Sequence, residues 1–236
     1  MDFQVAGETL DGAERARIAA ELGLPLADGG PHGEGALVRV IAEGAAADLI
    51  SALRSGCAAI VEEGPPGTMP TAKLKAALEQ GHLLVSLTTR LAWTLDTAAQ
   101  FCEGLLARGL LPVLVRHDAE LSLHEAIINA VLHGNLAMGG SLVDDPSQFD
   151  AFCQRLTATL ADPDKATRRV DLSAWVADGY LHIRIADQGR GYDPDSIRPP
   201  VNVEAKSGRG LEIMRVMSSG LTVTDGGRTA TLAFAV

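Results

Sequence analysis

The chain has 236 residues, of which 47% are hydrophobic and 21% are charged, and its formal net charge is −10. This composition provides enough apolar material for a core and excludes general disorder. The acidic balance disfavours a nucleic-acid surface, because such a surface needs basic clusters to neutralise phosphates.

The cysteines and the lengths of the apolar runs indicate the cellular compartment of the protein. Cys57, Cys102 and Cys153 are far apart and form no CxxC pair, which argues against a disulfide framework or a zinc site. The first residues have no basic stretch followed by an apolar one, and no run approaches transmembrane length. We therefore expect a cytoplasmic protein with neither a membrane nor a nucleic-acid partner.

The first third of the chain alternates helical and strand-like segments. Helices are predicted over "GAERARIAAELG", "AAADLISALRSG" and "TAKLKAALEQG", the last with Thr71 near its N-cap and Gly81 as its stop. The runs "ALVRVIA" and "CAAIVEE" predict buried strands, and "GPPGTMP" predicts a loop.

Residues 1–80 are thus predicted to form a small α/β domain with parallel crossovers, which would serve in docking, dimerisation or regulation. The pattern resembles a shortened, degenerate receiver domain. It lacks the cluster of acidic residues at strand ends that would hold magnesium and accept a phosphoryl group, so we expect no chemistry there.

After Gly81 the predicted elements change. A strand in "HLLVSLTT" precedes helices in "TLDTAAQFCEGLLARG", "LSLHEAIINAVLHGN" and "DDPSQFDAFCQRLTATLADP". Two hairpins follow, with turns at 177–179 and 225–227, and the helix of "GRGLEIMRVMSS" lies between them. Residues 81–236 are therefore predicted to form a two-layer α/β sandwich of helices on a mixed sheet.

A polar stripe runs along the helix predicted at 121–135. Glu125, Asn129 and His133 recur at intervals of four, which places them on one face of a helix. A solvated face is the ordinary explanation of such a stripe. Exposed helix faces are usually built from Lys, Glu, Arg and Gln rather than Asn and His, so the stripe is also a candidate functional face.

Two further clusters combine glycines with polar residues. Asp187 ends an apolar strand and is followed by Gly189 and Gly191, so a carboxylate that accepts hydrogen bonds adjoins backbone that can approach a ligand closely. The Gly-Arg-Gly sequence at 208–210 precedes a helix, whose free N–H groups favour a phosphate. Each cluster alone is equally compatible with an ordinary turn or a glycine-rich helix cap.

In the order E-x-x-x-N, D-x-G-x-G and G-x-G-L, the three clusters resemble the N, G1 and G2 boxes of the GHKL ATPases, over roughly residues 81–236. More narrowly, "HEAIINAVLHGN", "DPDKATRRV", "IADQGRGYDP" and "SGRGLEIMRVMSS" resemble the anti-sigma-factor serine kinases of the RsbW type. The resemblance implies the Bergerat (GHKL) fold, ATP and Mg²⁺ as cofactors, and the activity of a protein-serine kinase.

The resemblance also implies a role for each matched residue. Glu125 would be the catalytic general base, and Asn129 would ligate magnesium through its amide oxygen. Asp187 would bind the adenine amino group, Thr229 would sit under the adenine, and His133 would contact a phosphate or, as we favour, hold the helix in place. The other nucleotide-binding residues would start the lid, at Gly189 and Gly191, or surround the β- and γ-phosphates, at Gly208, Arg209, Gly210 and Leu211.

Three functions stay open. The first is a kinase that phosphorylates a serine of a STAS-domain anti-anti-sigma protein, with a sigma factor as a second candidate partner and a homodimer as the expected assembly. The second is a histidine kinase, because His117-Asp118 resembles a phosphoacceptor pair, although no separate two-helix hairpin carries it. The third is a non-catalytic switch or scaffold whose conformations nucleotide biases without turnover.

Overall fold

The computed structural model describes residues 3–7, 9–27, 36–138, 149–192 and 209–236. The strands in this part of the chain are β1 (Phe3–Ala6), β2 (Ala36–Ile41), β3 (Ala59–Glu62), β4 (Leu83–Thr88), β5 (Arg169–Ala177), β6 (Tyr180–Ala186), β7 (Gly220–Thr224) and β8 (Thr229–Ala235). The helices are α1 (Gly12–Leu22), α2 (Ala46–Arg54), α3 (Thr71–Gln80), α4 (Thr89–Thr94), α5 (Thr97–Ala107), α6 (Arg116–Ile128), α7 (Phe149–Ala161), α8 (Pro163–Ala166) and α9 (Gly210–Met217).

All of these strands belong to a single sheet with the order β1-β2-β3-β4-β5-β6-β8-β7. The first four strands are parallel and consecutive, joined by α1, α2 and α3, which confirms the predicted parallel crossovers. Their order differs from the 2-1-3-4-5 order of receiver-type sheets. This strand order does not support the receiver-like interpretation of residues 1–80, which stays a prediction, and the short strand β1 was not predicted.

β4 connects the two parts of the sheet, because it pairs in parallel with β3 and antiparallel with β5. Helices α2, α5, α6 and α9 pack on one face, in a core that includes Phe101, Leu123 and Ile183. Helices α1 and α3 cover the other face of β1–β4, in a second core around Ile18 and Leu74. The predicted division of the chain after residue 80 falls in the turn between α3 and β4, and it stays a prediction.

Local sequence signals explain several of the helix ends. Asp11 and Glu14 form a capping box at the start of α1, and Gly81 ends α3 in the left-handed conformation with φ 69°. Thr71 lies near the N-cap of α3, as predicted: Pro70 is the N-cap residue, Thr71 is the first residue of the helix, and its hydroxyl donates to the Glu21 carbonyl oxygen at 3.1 Å.

Both predicted hairpins are confirmed. β5 and β6 are joined by the two residues Asp178 and Gly179, both with positive φ, as tight hairpin turns require. β7 and β8 are joined through Asp225–Gly227, again with positive φ at each residue. These turns fix the register of the antiparallel strands and so fix which side chains of β6 and β8 share a face.

A buried polar seam joins the parallel and antiparallel parts of the sheet. Arg169, with 1% of its surface exposed, begins β5 and donates from Nη1 to the Glu62 carbonyl oxygen at 2.6 Å. Asp171 accepts hydrogen bonds from Lys73 Nζ at 2.6 Å and from Ser86 Oγ at 2.5 Å. These contacts connect Glu62 and Lys73, both among the first 80 residues, directly to β5, and Lys73 belongs to α3.

Candidate functional site

A cleft of about 330 Å³ lies between α6, α9, the end of β6 and the β7–β8 turn, within the size range of small-molecule sites. Among the residues with predicted binding roles, the structure places the following in its lining: Asn129, His133, Asp187, Gly191, Gly210 and Leu211. The lining also includes Ala126, Ala130, Gly134, Ile185, Tyr192, Met214, Gly227, Arg228 and Ala230. The N-box stripe and the two glycine clusters thus meet in one concave site.

The helix that carries the polar stripe changes its winding at Asn129. α6 ends at Ile128 and continues as a π-helical segment, Asn129–Asn135, a type of winding often found at functional sites. Asn129 lies at this junction. His133 is exposed, and its Nδ1 lies 3.1 Å from the carbonyl oxygen of Met138, a contact that favours a role in holding the end of the helix.

The end of the cleft that is predicted to bind phosphate is where the stripe meets α9. A Cβ added to Gly210 would lie 2.8 Å from Oε2 of Glu125 and 3.4 Å from Nδ2 of Asn129, so the absence of a side chain at Gly210 lets both side chains approach α9. The first N–H groups of α9 have no partner within the helix and favour negative charge. Arg209 is the half-buried N-cap of α9 and does not line the cleft, whereas Gly208 lies outside the described residues.

The opposite end of the cleft is built around Asp187. A Cβ on Gly134 would lie 2.5 Å from Cγ of Asp187, and one on Gly189 would lie 2.3 Å from the Gly134 carbonyl oxygen. The N–H of Gly189 donates to Oδ1 of Asp187 at 2.7 Å. Burial raises the pKa of Asp187, and the hydrogen bond from Gly189 opposes that shift. The glycines Gly134 and Gly189 therefore leave room for a partly desolvated carboxylate, that of Asp187, at the wall of the cleft.

The loop after β6 packs closely against the β7–β8 turn. Gly191 has φ 74°, and a Cβ there would lie 2.0 Å from the carbonyl oxygen of Gly226. The N–H of Tyr192 donates to that same oxygen at 2.8 Å. This contact fixes the first residues of the predicted lid, and the rest of that predicted segment, residues 193–207, lies outside the described part of the chain.

Thr229, which is predicted to sit under the adenine, does not line the cleft. In the β6–β8 register Thr229 is opposite Ala186, and Ala230 is opposite Ile185. Ala230 and Ile185 line the cleft, and because successive strand residues point to opposite faces, Thr229 points away from it. Ala230, the next residue along β8, contributes to the lining instead.

Sequence reasoning missed several residues of the cleft. Arg228 follows the glycine pair of the β7–β8 turn and brings a cation to the wall, and Tyr192 brings an aromatic ring. Ala126 and Ala130 each follow a residue of the polar stripe by one position. That repeated pairing of a polar residue with a small one was the available signal, since small side chains leave the space that a ligand occupies.

A comparison with known protein families matches a segment that includes part of the cleft lining. Residues 152–234 match the family model of the histidine kinase-like ATPase domain, a range that includes Asp187 and Gly210 but not Glu125 or Asn129. This match and the architecture of helices on a mixed sheet confirm the predicted α/β fold of the GHKL ATPase type. No curated protein matches the chain.

Two observations concern the described residues alone. None of their helices has both the length and the apolar character needed to cross a lipid bilayer. Nor do three or more of their His, Cys, Asp and Glu side chains come together in a group that could hold a metal ion. A divalent cation at Asn129 would therefore depend on ligands beyond such a cluster, namely phosphate oxygens and water.

Proposed function

Starting from a histidine kinase-like ATPase domain in the second part of the chain, we propose that this protein binds Mg-ATP in the cleft and transfers the γ-phosphoryl group to a serine of a partner protein. The observation that carries the proposal is the arrangement of the two ends of one cleft. A half-buried carboxylate, Asp187, lies at one end, and Glu125 and Asn129 meet the N-terminus of α9 at the other.

The Asp187 end suits an adenine ring. An ionised carboxylate is only an acceptor, and the exocyclic amino group of adenine is a donor. The walls beside it, Ala130, Ile185, Met214 and Ala230, are apolar or small and suit the faces of a flat ring. This combination favours adenine over guanine, which presents a carbonyl oxygen at the corresponding position.

The α9 end suits a triphosphate with its cation. Gly210 leaves open the space that a Cβ would fill, and Asn129 and Glu125 contribute hard oxygen atoms there, so these residues fit a magnesium–phosphate group. When bound, Mg²⁺ would neutralise charge on the phosphate oxygens. Asn129 would hold the cation through its amide oxygen, and the free N–H groups of α9 would donate to the phosphates.

Glu125 is the candidate base for the transfer. In the proposed step the serine hydroxyl oxygen forms a bond to the γ-phosphorus while the bond from that phosphorus to the bridging oxygen breaks, which releases ADP. The hydroxyl proton moves to the Glu125 carboxylate, whose Oε2 already lies beside Gly210. Most of the rate would come from positioning and from neutralised charge, as is general for phosphoryl transfer.

The partner proposal rests on the sequence resemblance to the RsbW-type kinases. We infer a STAS-domain anti-anti-sigma protein as the phosphorylated partner, a sigma factor as a second partner, a homodimer as the assembly and the cytoplasm as the location. His117, the residue behind the histidine-kinase alternative, is exposed in the first turn of α6.

A transfer assay tests the proposal. The full chain is incubated with ATP labelled at the γ-phosphate, Mg²⁺ and STAS-domain proteins from the same source, with Glu125→Ala and Asn129→Ala variants as controls. We expect label on a partner serine, and none with either variant. Label retained on His117 would replace the proposal with a histidine kinase, and ATP binding without transfer would replace it with a nucleotide-dependent switch.

The raised pKa of Asp187 gives a prediction for ATP affinity as a function of pH. Because burial raises this pKa above its ordinary value of 3.8, the carboxyl group starts to protonate at a higher pH than an exposed aspartate would. Protonation weakens the acceptor, so ATP affinity should fall as the pH is lowered through the Asp187 pKa. Asp187→Asn should bind ATP more weakly, with an affinity that changes little over the same pH range. Equal pH profiles for the two proteins in calorimetric titrations would contradict this role.

A further inference from the structure

We propose that Asn135 and Arg169 are positioning residues of the nucleotide site, through which the loop at 63–70 controls how firmly Asp187 is held for adenine. The inference rests on the proposed function and deepens it, because it gives the first 80 residues a role in regulating the ATP cleft. The structural basis is a continuous set of buried and partly buried hydrogen bonds that starts beside Asp187 and ends in that loop.

The first link is Gln188, which lies between Asp187 and Gly189. Its backbone N–H donates to Oδ1 of Asn135 at 2.7 Å, and its side-chain Oε1 accepts from the backbone N–H of Arg169 at 2.8 Å. Gln188 is therefore held from both its main chain and its side chain. Since Asp187 is the preceding residue in the chain, its backbone cannot shift without breaking these bonds.

The second link is Asn135, the last residue of the π-helical segment, which is fully buried. Its Nδ2 donates to Oγ1 of Thr89 at 2.8 Å and to the carbonyl oxygen of Arg169 at 3.0 Å. Together with the bond from Gln188, these contacts use both protons of the amide and its oxygen. A buried amide that is satisfied at every polar atom is confined to a single orientation. Asn135 thus connects the π-helical segment, the start of α4, the start of β5 and the Asp187 loop.

The third link is the guanidinium group of Arg169, which extends from β5 into the first 80 residues. Nη1 donates to the Glu62 carbonyl oxygen at 2.6 Å and Nε donates to the Thr68 carbonyl oxygen at 3.2 Å. Gly64 makes room for the group, because a Cβ there would lie 2.5 Å from Nη2. The planar guanidinium satisfies these carbonyl oxygens only while the end of β3 and the loop keep their present positions.

Through these hydrogen bonds the loop at 63–70 affects the site indirectly and needs no contact of its own with the nucleotide. Residues 65–67 at its tip are exposed, so another molecule can reach the loop from solvent. By thermodynamic linkage, whatever displaces the loop weakens adenine binding, and bound ATP in turn steadies the loop. The first 80 residues would then act as a regulatory input to the cleft.

The test compares the preference for ATP over GTP, measured by calorimetry with Mg²⁺, in the wild type and in Asn135→Ala, Arg169→Met and Gln188→Ala. We expect each variant to lose roughly tenfold in the ratio of ATP to GTP affinity, the size of effect expected when one well-placed hydrogen bond is lost. Gln188 is exposed, so its variant tests the proposal even if replacement of the buried residues prevents folding. Asp171→Asn is the matched control, since Asp171 lies in the same buried seam but contacts Lys73 and Ser86 instead.

A second readout is hydrogen exchange of the backbone amides of Gly64, Gly67, Thr68 and Met69, since Pro65 and Pro66 carry no N–H. ATP should slow this exchange in the wild type and in Asp171→Asn, and should slow it less in Gln188→Ala. An unchanged ATP preference in folded Gln188→Ala, with ATP protecting the loop as in the wild type, would overturn the inference while the proposed function stood. A wild type that binds neither ATP nor GTP would instead overturn the proposed function, and the inference with it.

Discussion

Glu125→Gln is expected to slow phosphoryl transfer to the partner serine about 10²–10⁴-fold, the range that general-base catalysis contributes. Glutamine has nearly the size of glutamate and fits against Gly210, where Oε2 of Glu125 now lies, but its amide does not accept the hydroxyl proton. ATP affinity should change little, because the adenine end of the cleft is untouched. Single-turnover transfer of labelled γ-phosphate and calorimetric titration measure the two quantities separately.

Glu120→Gln is the matched control for this variant. Glu120 lies on the same helix and pairs with Arg116 at 3.4 Å on the surface, outside the lining of the cleft. Its replacement should leave both transfer and ATP affinity close to wild type. A transfer rate for Glu125→Gln equal to that of Glu120→Gln would show that Glu125 is not the base.

Gly134→Ala is expected to weaken ATP binding about 10- to 100-fold, the loss that follows when one hydrogen bond to a charged group is removed. The added Cβ would lie 2.5 Å from Cγ and 2.6 Å from Oδ1 of Asp187, so the carboxylate must leave its present position. In an open helical site the same change would be favourable by roughly 0.5–1 kcal/mol. The loss would therefore come from the close approach to Asp187 and not from helix propensity.

Gly12→Ala is the matched control for Gly134→Ala. Gly12 is the first residue of α1, and a Cβ there has no neighbour within 4 Å. Calorimetry should find wild-type ATP affinity for Gly12→Ala and weakened affinity for Gly134→Ala, with both proteins folded by circular dichroism. Wild-type affinity in Gly134→Ala would mean that the position of Asp187 does not matter for binding.

The sequence predicted features that depend on neighbouring residues. The Asp178-Gly179 turn and the glycine stop at Gly81 follow from the few residue types that tolerate a positive φ. The polar stripe and the two glycine clusters were visible because each occupies a few consecutive turns or residues. Their meeting in one cleft followed from the resemblance to the GHKL ATPases, and the structure brings Asn129, Asp187 and Gly210 together as that resemblance implies.

Features that depend on distant parts of the chain were not predicted. The antiparallel pairing of β4 with β5, which joins the two parts into one sheet, connects strands that end at Thr88 and begin at Arg169. Asn135 is separated from its partner Gln188 by 53 positions, and no local pattern marks such a bond. The π-helical winding at 129–135 and the presence of Ala230 rather than Thr229 in the cleft lining likewise depend on packing and register rather than on composition.

The most direct test of the account is a calorimetric titration of the full chain with ATP in the presence of Mg²⁺. We expect saturable binding of one ATP per chain, which is strongly weakened in Asn129→Ala and in Asp187→Ala because these residues lie at the two ends of the same cleft. No heat of binding from a chain that is folded by circular dichroism, or equal binding by the wild type and both variants, would contradict it.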